Sequence, residues 1–496
     1  MPVYFLEIIV VTLGLLMLMV DAFAKIEDKR SIAWIGMVGL LVVFGLLFAV
    51  KWPESADGAF WQFYSANDQI SLFYKGIAVI TTIIVLIMAV DFRHIVVAQT
   101  ADPEKGAHPQ SGLGEFFALP VFACAGLMLM ASANNLVSIF VSLETVTITF
   151  YILVTYLRRN VGSLEAGVKY LILGALSTGF LVYGFAWLFG ITGSMQLAEI
   201  ASSLADPEVN SAAALFAFAL ILVALAFKVG GAPFHFWIPD VYQGAPTPIT
   251  AFLSVGSKAA GFIIFLRLIG PFLASDVLAE KICLVLAAIA GITLIMGNLA
   301  AMPQKNFKRL LAYSSVAHAG FLLMALASAP TKSAVGSLSP AMVVTFYLGA
   351  YLLMTLLVFL VVTTVRNSIA GEEIDSYKGL AKRSPFLAFM LIIAMASLAG
   401  IPLTAGFYGK LFVFKMAADQ GNWTLLIIGL IGAASGFYYY LKIAVPVFFA
   451  TSSDDGSGEE ISSIPVSAPA RVAMIILTVA IIAVGVNPNL IITLFS

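Results

Sequence analysis

The 496-residue chain is 61% hydrophobic and only 11% charged, with a formal net charge of −1. Soluble domains carry about 25% charged residues, so this composition excludes a soluble fold and points to an all-α polytopic membrane protein. It leaves no basic footprint for nucleic acid, and with two isolated cysteines, Cys124 and Cys283, and no Gly-rich phosphate loop, no zinc, iron–sulfur or nucleotide site is expected either.

At roughly 20 apolar residues per crossing, the chain reads as about fourteen spans. The first seven are Pro2–Phe23, Ser31–Val50, Gln69–Asp91, Glu115–Ala131, Asn135–Leu157, Ala166–Gly190 and an interrupted Ala212–Trp237. The next seven are Pro246–Ile269, Ile282–Met302, Phe307–Ala327, Pro340–Val365, an interrupted Pro385–Met416, Trp423–Phe449 and Pro469–Phe495. Met1 to Asp21 lacks a basic leader and a small-residue cleavage site, so it reads as a retained first span. The expected layout is one membrane domain. Three N-terminal helices occupy 1–114, a first five-helix repeat 115–270 and a second 280–450. A polar linker (451–467) with Asp454, Asp455, Glu459 and Glu460 leads to a last helix over 468–496.

Loop charges orient the spans. Lys25, Lys29, Arg30, Arg93, Lys105, Arg158, Arg159, Lys305, Lys308, Arg309, Arg366, Lys378, Lys382 and Arg383 fall in loops on one side. Only Lys51, Lys281 and Lys332 fall on the other. The positive-inside rule then places both termini outside.

Two spans contain helix breakers. Pro385 to Met416 would reach about 48 Å as a straight helix, against a hydrocarbon core of about 30 Å. Its middle holds Gly400, Pro402 and Gly406, and the seventh span holds Gly230, Gly231 and Pro233. Backbone groups freed in this way are tolerated only against protein or a water-filled cavity. Two interrupted segments in corresponding positions are the signature of an inverted-repeat transporter.

Charges inside the spans carry the functional reading, because a charge in hydrocarbon costs at least about 2.5–3.5 kcal/mol. Lys228 lies beside the first break, where burial disfavours the charged form and fits the amine to take and release a proton. Lys258 sits ten residues after Pro248, about 15 Å of helix and so mid-membrane, among small residues that leave room for water. Glu144 is one of the few acids deep in a span, and pairing it with Lys228 would lower the cost of both and form a switch. Lys410 follows the second break and is expected to hold the place in the second half that Lys228 holds in the first. His318 is also mid-membrane, with Tyr313, Ser314 and Ser315 available to extend a hydrogen-bonded chain, and titrates near neutrality. His235, just after Pro233, is a similar candidate, although a packing histidine competes for both. Lys169 and Lys442 are weaker candidates, since snorkelling to the interface explains them nearly as well. Snorkelling accounts better for Arg267, Lys308 and Lys415, and Glu7 and Asp91 read as boundary residues. Several buried charges without ligand motifs point to a path for protons or small cations rather than a site for organic chemistry.

The runs FKVGGAPFHFWIPDVYQGAPTP (227–248), KRLLAYSS (308–315) and LAGIPLTAGF (398–407) resemble the antiporter-like membrane subunits of respiratory complex I, and the likeness covers nearly the whole chain. Within that family the chain looks most like the N-type subunits. It stops after the fourteenth span, where L-type chains continue into a lateral helix, and it has Lys410 where M-type chains usually carry glutamate. The resemblance implies roles for four charged residues. Glu144 and Lys228 would form the paired groups of the fifth and seventh helices, Lys258 the connecting lysine of the eighth, and Lys410 the lysine of the second half-channel. His318 and His235 match histidines on or near the family's polar axis. It implies a proton-translocating subunit driven by quinone reduction elsewhere in the complex. Flavin, iron–sulfur clusters and quinone would reside in partner subunits, and catalysis is not expected from the isolated chain. The partners implied are neighbouring antiporter-like and small membrane subunits within the lipid bilayer of a bacterial inner membrane or a thylakoid-type equivalent. Two rivals stand beside this reading: a subunit of a multi-subunit cation/proton antiporter, and a subunit of a related hydrogenase or ferredoxin-driven dehydrogenase complex.

Overall fold

A computed structural model of the chain describes residues 5–24, 27–49, 69–100, 110, 112–329, 338–369, 371–449 and 463–495. Lys25, Lys51, Lys105, Lys332 and most of the expected linker lie outside the described residues. Among those described there is no strand, only two isolated bridges between loop residues. Among the described residues thirteen helices are long and apolar enough to cross a membrane, and the remaining predicted span, Pro385–Met416, is a broken pair of shorter helices. The chain is an integral membrane protein.

The elements in chain order begin with α1 (Phe5–Phe23), α2 (Arg30–Leu47), α3 (Gln69–Thr100), α4 (Leu113–Ser132), α5 (Leu136–Val154) and α6 (Val161–Thr192). A short helix, α7 (Leu197–Leu204), precedes α8 (Ser211–Val229) and α9 (Trp237–Gly244). Next, α10 (Thr247–Phe252) and α11 (Lys258–Leu273) are joined through a π-helical turn, Leu253–Ser257, into one continuous span. Then come α12 (Asp276–Ala301), α13 (Phe307–Ala327), α14 (Pro340–Ser368), the single turn α15 (Leu380–Arg383), α16 (Pro385–Ala399) and α17 (Ala405–Asp419). The chain ends with α18 (Trp423–Phe449), α19 (Ala468–Val486) and the single turn α20 (Asn489–Ile492).

Local chemistry sets these starts. Asn135, Asn160, Asn210, Asn306, Ser339, Ser384 and Ser467 each accept a backbone N–H of the following first turn, satisfying donors that lipid could not. Pro340 and Pro385 occupy first-turn positions where their missing N–H costs nothing. The span containing α10 and α11, together with α13 and α14, is almost wholly buried, whereas α1, α6 and α18 show most of their apolar surface. The polar groups on the buried helices are thus shielded from lipid by the outer ring.

The two halves share local devices. Asn135 caps α5 and bridges to Gln196 beyond α6; Asn306 caps α13 and bridges to Glu373 beyond α14. Both breaks also end alike. Gly230 and Gly400 each adopt φ of 86°, a left-handed conformation that favours glycine. The Ala226 carbonyl accepts from Gly230 (3.0 Å) and Gly231 (2.7 Å), and the Ala396 carbonyl from Gly400 and Ile401 (both 3.0 Å).

Several expectations are corrected. The seventh span stops at Val229, so its interruption lies at its end, and Trp237 begins a separate short helix. The third span runs to Thr100, which puts Asp91 inside a helix, where it accepts from Ser467 at 2.7 Å. Lys228 precedes its break while Lys410 follows its own, so the two lysines do not hold matching places.

Candidate proton pathway

Lys258 opens α11 directly after the π-helical turn. A π turn inserts one residue into the helical register and recurs at functional sites. Lys258 is buried at 3% exposure and donates to the Ser315 hydroxyl at 2.5 Å and to the Ser315 carbonyl. The Ser315 hydroxyl also meets the Tyr242 hydroxyl at 3.2 Å. The Lys258 ammonium stands over the Tyr351 ring, 5.1 Å from its centre, and the Tyr351 hydroxyl bonds to Ser254 in the π turn at 3.0 Å.

From Ser315 the polar chain continues on α13. Its neighbour Ser314 bonds to the Tyr440 hydroxyl. His318, one turn on, uses both ring nitrogens: Nε2 meets the Tyr440 hydroxyl at 3.1 Å and Nδ1 the Tyr347 hydroxyl at 2.7 Å. These groups are all buried. Such lengths lie within the range for proton transfer between positioned groups.

Lys410 lies one turn into α17 and reaches back to α16, donating to the carbonyls of Leu398 (3.0 Å) and Ala399 (2.8 Å). It therefore satisfies carbonyls that the break leaves without intrahelical partners. Its ammonium is 5.4 Å from the centre of the Phe321 ring, and that ring packs edge-on against His318 at 6.4 Å. Phe321 thus borders both the histidine and the lysine.

Lys228 and Glu144 share one region but form no direct ion pair among the described residues. Lys228 donates to the Thr147 hydroxyl at 2.7 Å, and Glu144 accepts from the Thr178 hydroxyl at 2.9 Å. Glu144 and Thr147 are three apart on α5 and so share a face. Gly261, three residues after Lys258, lets α11 approach α8 closely: a methyl group there would lie 3.8 Å from the Lys228 Cβ.

The weaker candidates lie off this chain. His235 is buried and stacks on Phe236 at 4.7 Å, and its Nδ1 has no hydrogen-bond partner among the described residues. Lys169 is well exposed and pairs with Glu165 (2.7 Å) and Asp240 (2.8 Å). Asp240 also receives Arg309 at 2.8 Å, which ties α6, α9 and α13 together. Burial raises the Asp240 carboxyl, but the bonds from Lys169 and Arg309 outweigh it and hold the group below its ordinary value. Lys442 donates to the carbonyls of Met302 (2.9 Å) and Gln304 (3.1 Å), capping the end of α12. Lys308 does not snorkel: it is buried, paired with Glu372 at 2.9 Å and donating to the Ala245 carbonyl at 3.1 Å.

Sequence reasoning missed Tyr242, Tyr347, Tyr351, Thr147, Thr178 and Asp240. It also took Glu7 for a boundary residue, whereas Glu7 is buried in an ion pair with Lys75. The mid-span tyrosines and threonines were the available signal, but threonines in membrane helices commonly bond to their own backbone and tyrosines commonly serve as packing aromatics.

Residues 133–435 match the family described as NADH:quinone oxidoreductase/Mrp antiporter, TM. A Heliobacterium modesticaldum protein named NADH-quinone oxidoreductase subunit N is 36% identical over 487 residues, covering 97% of this chain and 95% of that protein. An Opitutus terrae protein named NADH-quinone oxidoreductase subunit N 1 is 40% identical over 507 residues, covering 97% and 94%. This chain belongs to that family of membrane subunits. A chain from the structure of respiratory complex I from Thermus thermophilus with bound aureothin aligns over 98% of both chains, at 31% identity and a TM-score of 0.77. All five principal candidates, Glu144, Lys228, Lys258, His318 and Lys410, fall inside the matched family segment.

Proposed function

We propose that this chain is the N-type, proton-translocating membrane subunit of an NADH:quinone oxidoreductase. The observation that carries the reading is a buried row of polar groups in two hydrogen-bonded segments that meet at adjacent residues of α13: Lys258 with Ser315, and Ser314 with Tyr440, His318 and Tyr347. A static core has no need of a lysine, a histidine and several hydroxyls set side by side at membrane depth. The proposed sequence is proton loading at Lys258, transfer along the His318 axis to Lys410, and release gated by Glu144 and Lys228. The two threonine-bonded groups represent the separated state of that gate, and direct pairing of carboxylate and ammonium is the other state.

Redox chemistry belongs to partner subunits, which would hold the flavin, iron–sulfur clusters and quinone. The partners in the membrane are further antiporter-like and small subunits. The complex sits in a bacterial inner membrane or thylakoid-type equivalent, with both termini of this chain on the outer side. The family description also embraces Mrp-type antiporters, so cation/proton exchange without a redox partner is the second reading. Purification of the intact complex decides between them. Quinone-reductase subunits should copurify with this chain, and quinone reduction should acidify one side of reconstituted vesicles. Copurification with small antiporter subunits alone would reject the redox reading.

A further inference from the structure

Beyond the axis, the three N-terminal helices contain a second buried charge site. Glu7 lies in the first turn of α1 and Lys75 in the second turn of α3. Lys75 Nζ is 2.7 Å from Glu7 Oε1, and the two side chains are only 1% and 5% exposed. The pair is far from an economical structural bond. Two ions removed from water recover their desolvation cost only when their remaining hydrogen-bonding capacity is met. Here Glu7 Oε2 is buried without a hydrogen-bond partner among the described residues.

Two buried hydroxyls share the helix face of Lys75, and the same helix borders the one that carries Lys258. Ser71 and Thr82, also fully buried, flank Lys75 by four and seven positions on α3, the spacing of one helix face. Tyr74, Ile77 and Ala78 line a small cavity whose opposite wall is Gly256, Ala259, Ala260 and Ile263, on the helix that carries Lys258. Lys75 therefore sits on the helix packed behind the π turn, with Glu7 reaching it from α1.

We propose that Glu7 and Lys75 form a proton-exchange site that works in step with the Lys258 axis. One proton passes from Lys75 Nζ to Glu7 Oε1, converting ammonium and carboxylate into amine and carboxylic acid. No electron moves and the net charge of the pair stays zero. The amine then takes a proton from a water molecule on one side and the carboxylic acid gives its proton to a water molecule on the other, which restores ammonium and carboxylate with one proton moved. This proposal rests on the proton-translocating reading above.

The test uses the intact complex in proteoliposomes, reading protons moved per quinone reduced. Lys75→Arg keeps the ion pair but cannot give up a proton. It should assemble at the wild-type level and move fewer protons per quinone. The double variant Glu7→Gln with Lys75→Met removes both charges without stranding either, and should show the same deficit. It decides the matter if arginine is too large for the site. A wild-type ratio in either variant overturns the proposal. Failure of the double variant to assemble overturns it as well, since the pair would then be a structural clamp. Lys258→Ala serves as the control: a full ratio in that variant would instead sink the translocating reading itself.

Discussion

Lys228 donates a hydrogen bond to the hydroxyl of Thr147, one helical turn beyond Glu144, and not to the carboxylate. The threonine therefore competes with Glu144 for the ammonium. A gate built this way has two arrangements of similar hydrogen-bond count, which suits a bistable element.

That relationship sets the first prediction. Glu144→Gln and Lys228→Ala should each impair pumping severely, because each removes one arm of the switch. The double variant should lose little more than either single one, since residues acting as one unit are non-additive. Thr147→Val removes the competing acceptor and should bias Lys228 toward Glu144, slowing turnover while the complex still assembles. Proton pumping in reconstituted vesicles measures all four forms. Strictly additive losses would show that the two charges act independently.

A second prediction concerns the linked hydroxyls. Tyr440→Phe removes the group shared by Ser314 and His318. Leaving such buried partners unmet costs about 1–3 kcal/mol, too little to prevent assembly in a chain with this much buried surface. Pumping should nevertheless fall well below wild type, because the bridge that Tyr440 makes between Ser314 and His318 is gone. Lys258→Ala should likewise assemble, as it deletes a costly buried charge, and should pump poorly. Undiminished pumping by Tyr440→Phe would remove Tyr440 from the route.

The Asp240 cluster gives a prediction with a pH sign. Its carboxyl is held below the ordinary value by Lys169 and Arg309. A depressed carboxyl contributes stability that is present above its unfolded value, about 3.9, and is lost as pH falls through the folded value. The clamp between α6, α9 and α13 should therefore be intact at neutral pH and fail only in acid. Asp240→Asn should remove that acid dependence and cost no more than about 1 kcal/mol per pair, since these ions are partly exposed. Thermal unfolding of the detergent-solubilised complex at neutral and acidic pH would measure it. An unchanged acid response in Asp240→Asn would place the dependence elsewhere.

Much of this was legible from the chain alone. Span existence follows from apolar run length, and the breaks at Gly230 and Gly400 follow from glycine and proline inside those runs. Lys258, His318 and Lys410 were visible because a charge or imidazole at mid-span is costly. Glu7 was not, because it lies near the start of a run, where a boundary residue is the ordinary reading. Only the fold brings Lys75 across from α3 to meet it. The π turn before Lys258 was equally hidden, since one inserted residue leaves composition unchanged while shifting which side chains share a face. The tyrosines that complete the axis come from α9, α14 and α18, and no spacing within one helix relates them.

The last prediction tests the second break. Gly406 packs so tightly that a methyl group there would lie 1.8 Å from the Ser397 carbonyl oxygen and 2.8 Å from its carbon. Those are backbone atoms of α16, which cannot swing aside as a side-chain tip does. Gly406→Ala must therefore push α17 away from α16. Lys410 follows one turn later and holds the Leu398 and Ala399 carbonyls at 3.0 and 2.8 Å, so the displacement should break both bonds and leave those carbonyls unmet. Overpacking of this kind costs about 1–3 kcal/mol or more, and each orphaned carbonyl adds to it. Gly190→Ala is the matched control, because nothing lies within 4 Å of a methyl group there. Complex yield and vesicle pumping should both fall for Gly406→Ala and stay at wild type for Gly190→Ala. Normal pumping by Gly406→Ala would show that Lys410 functions without its grip on the broken helix.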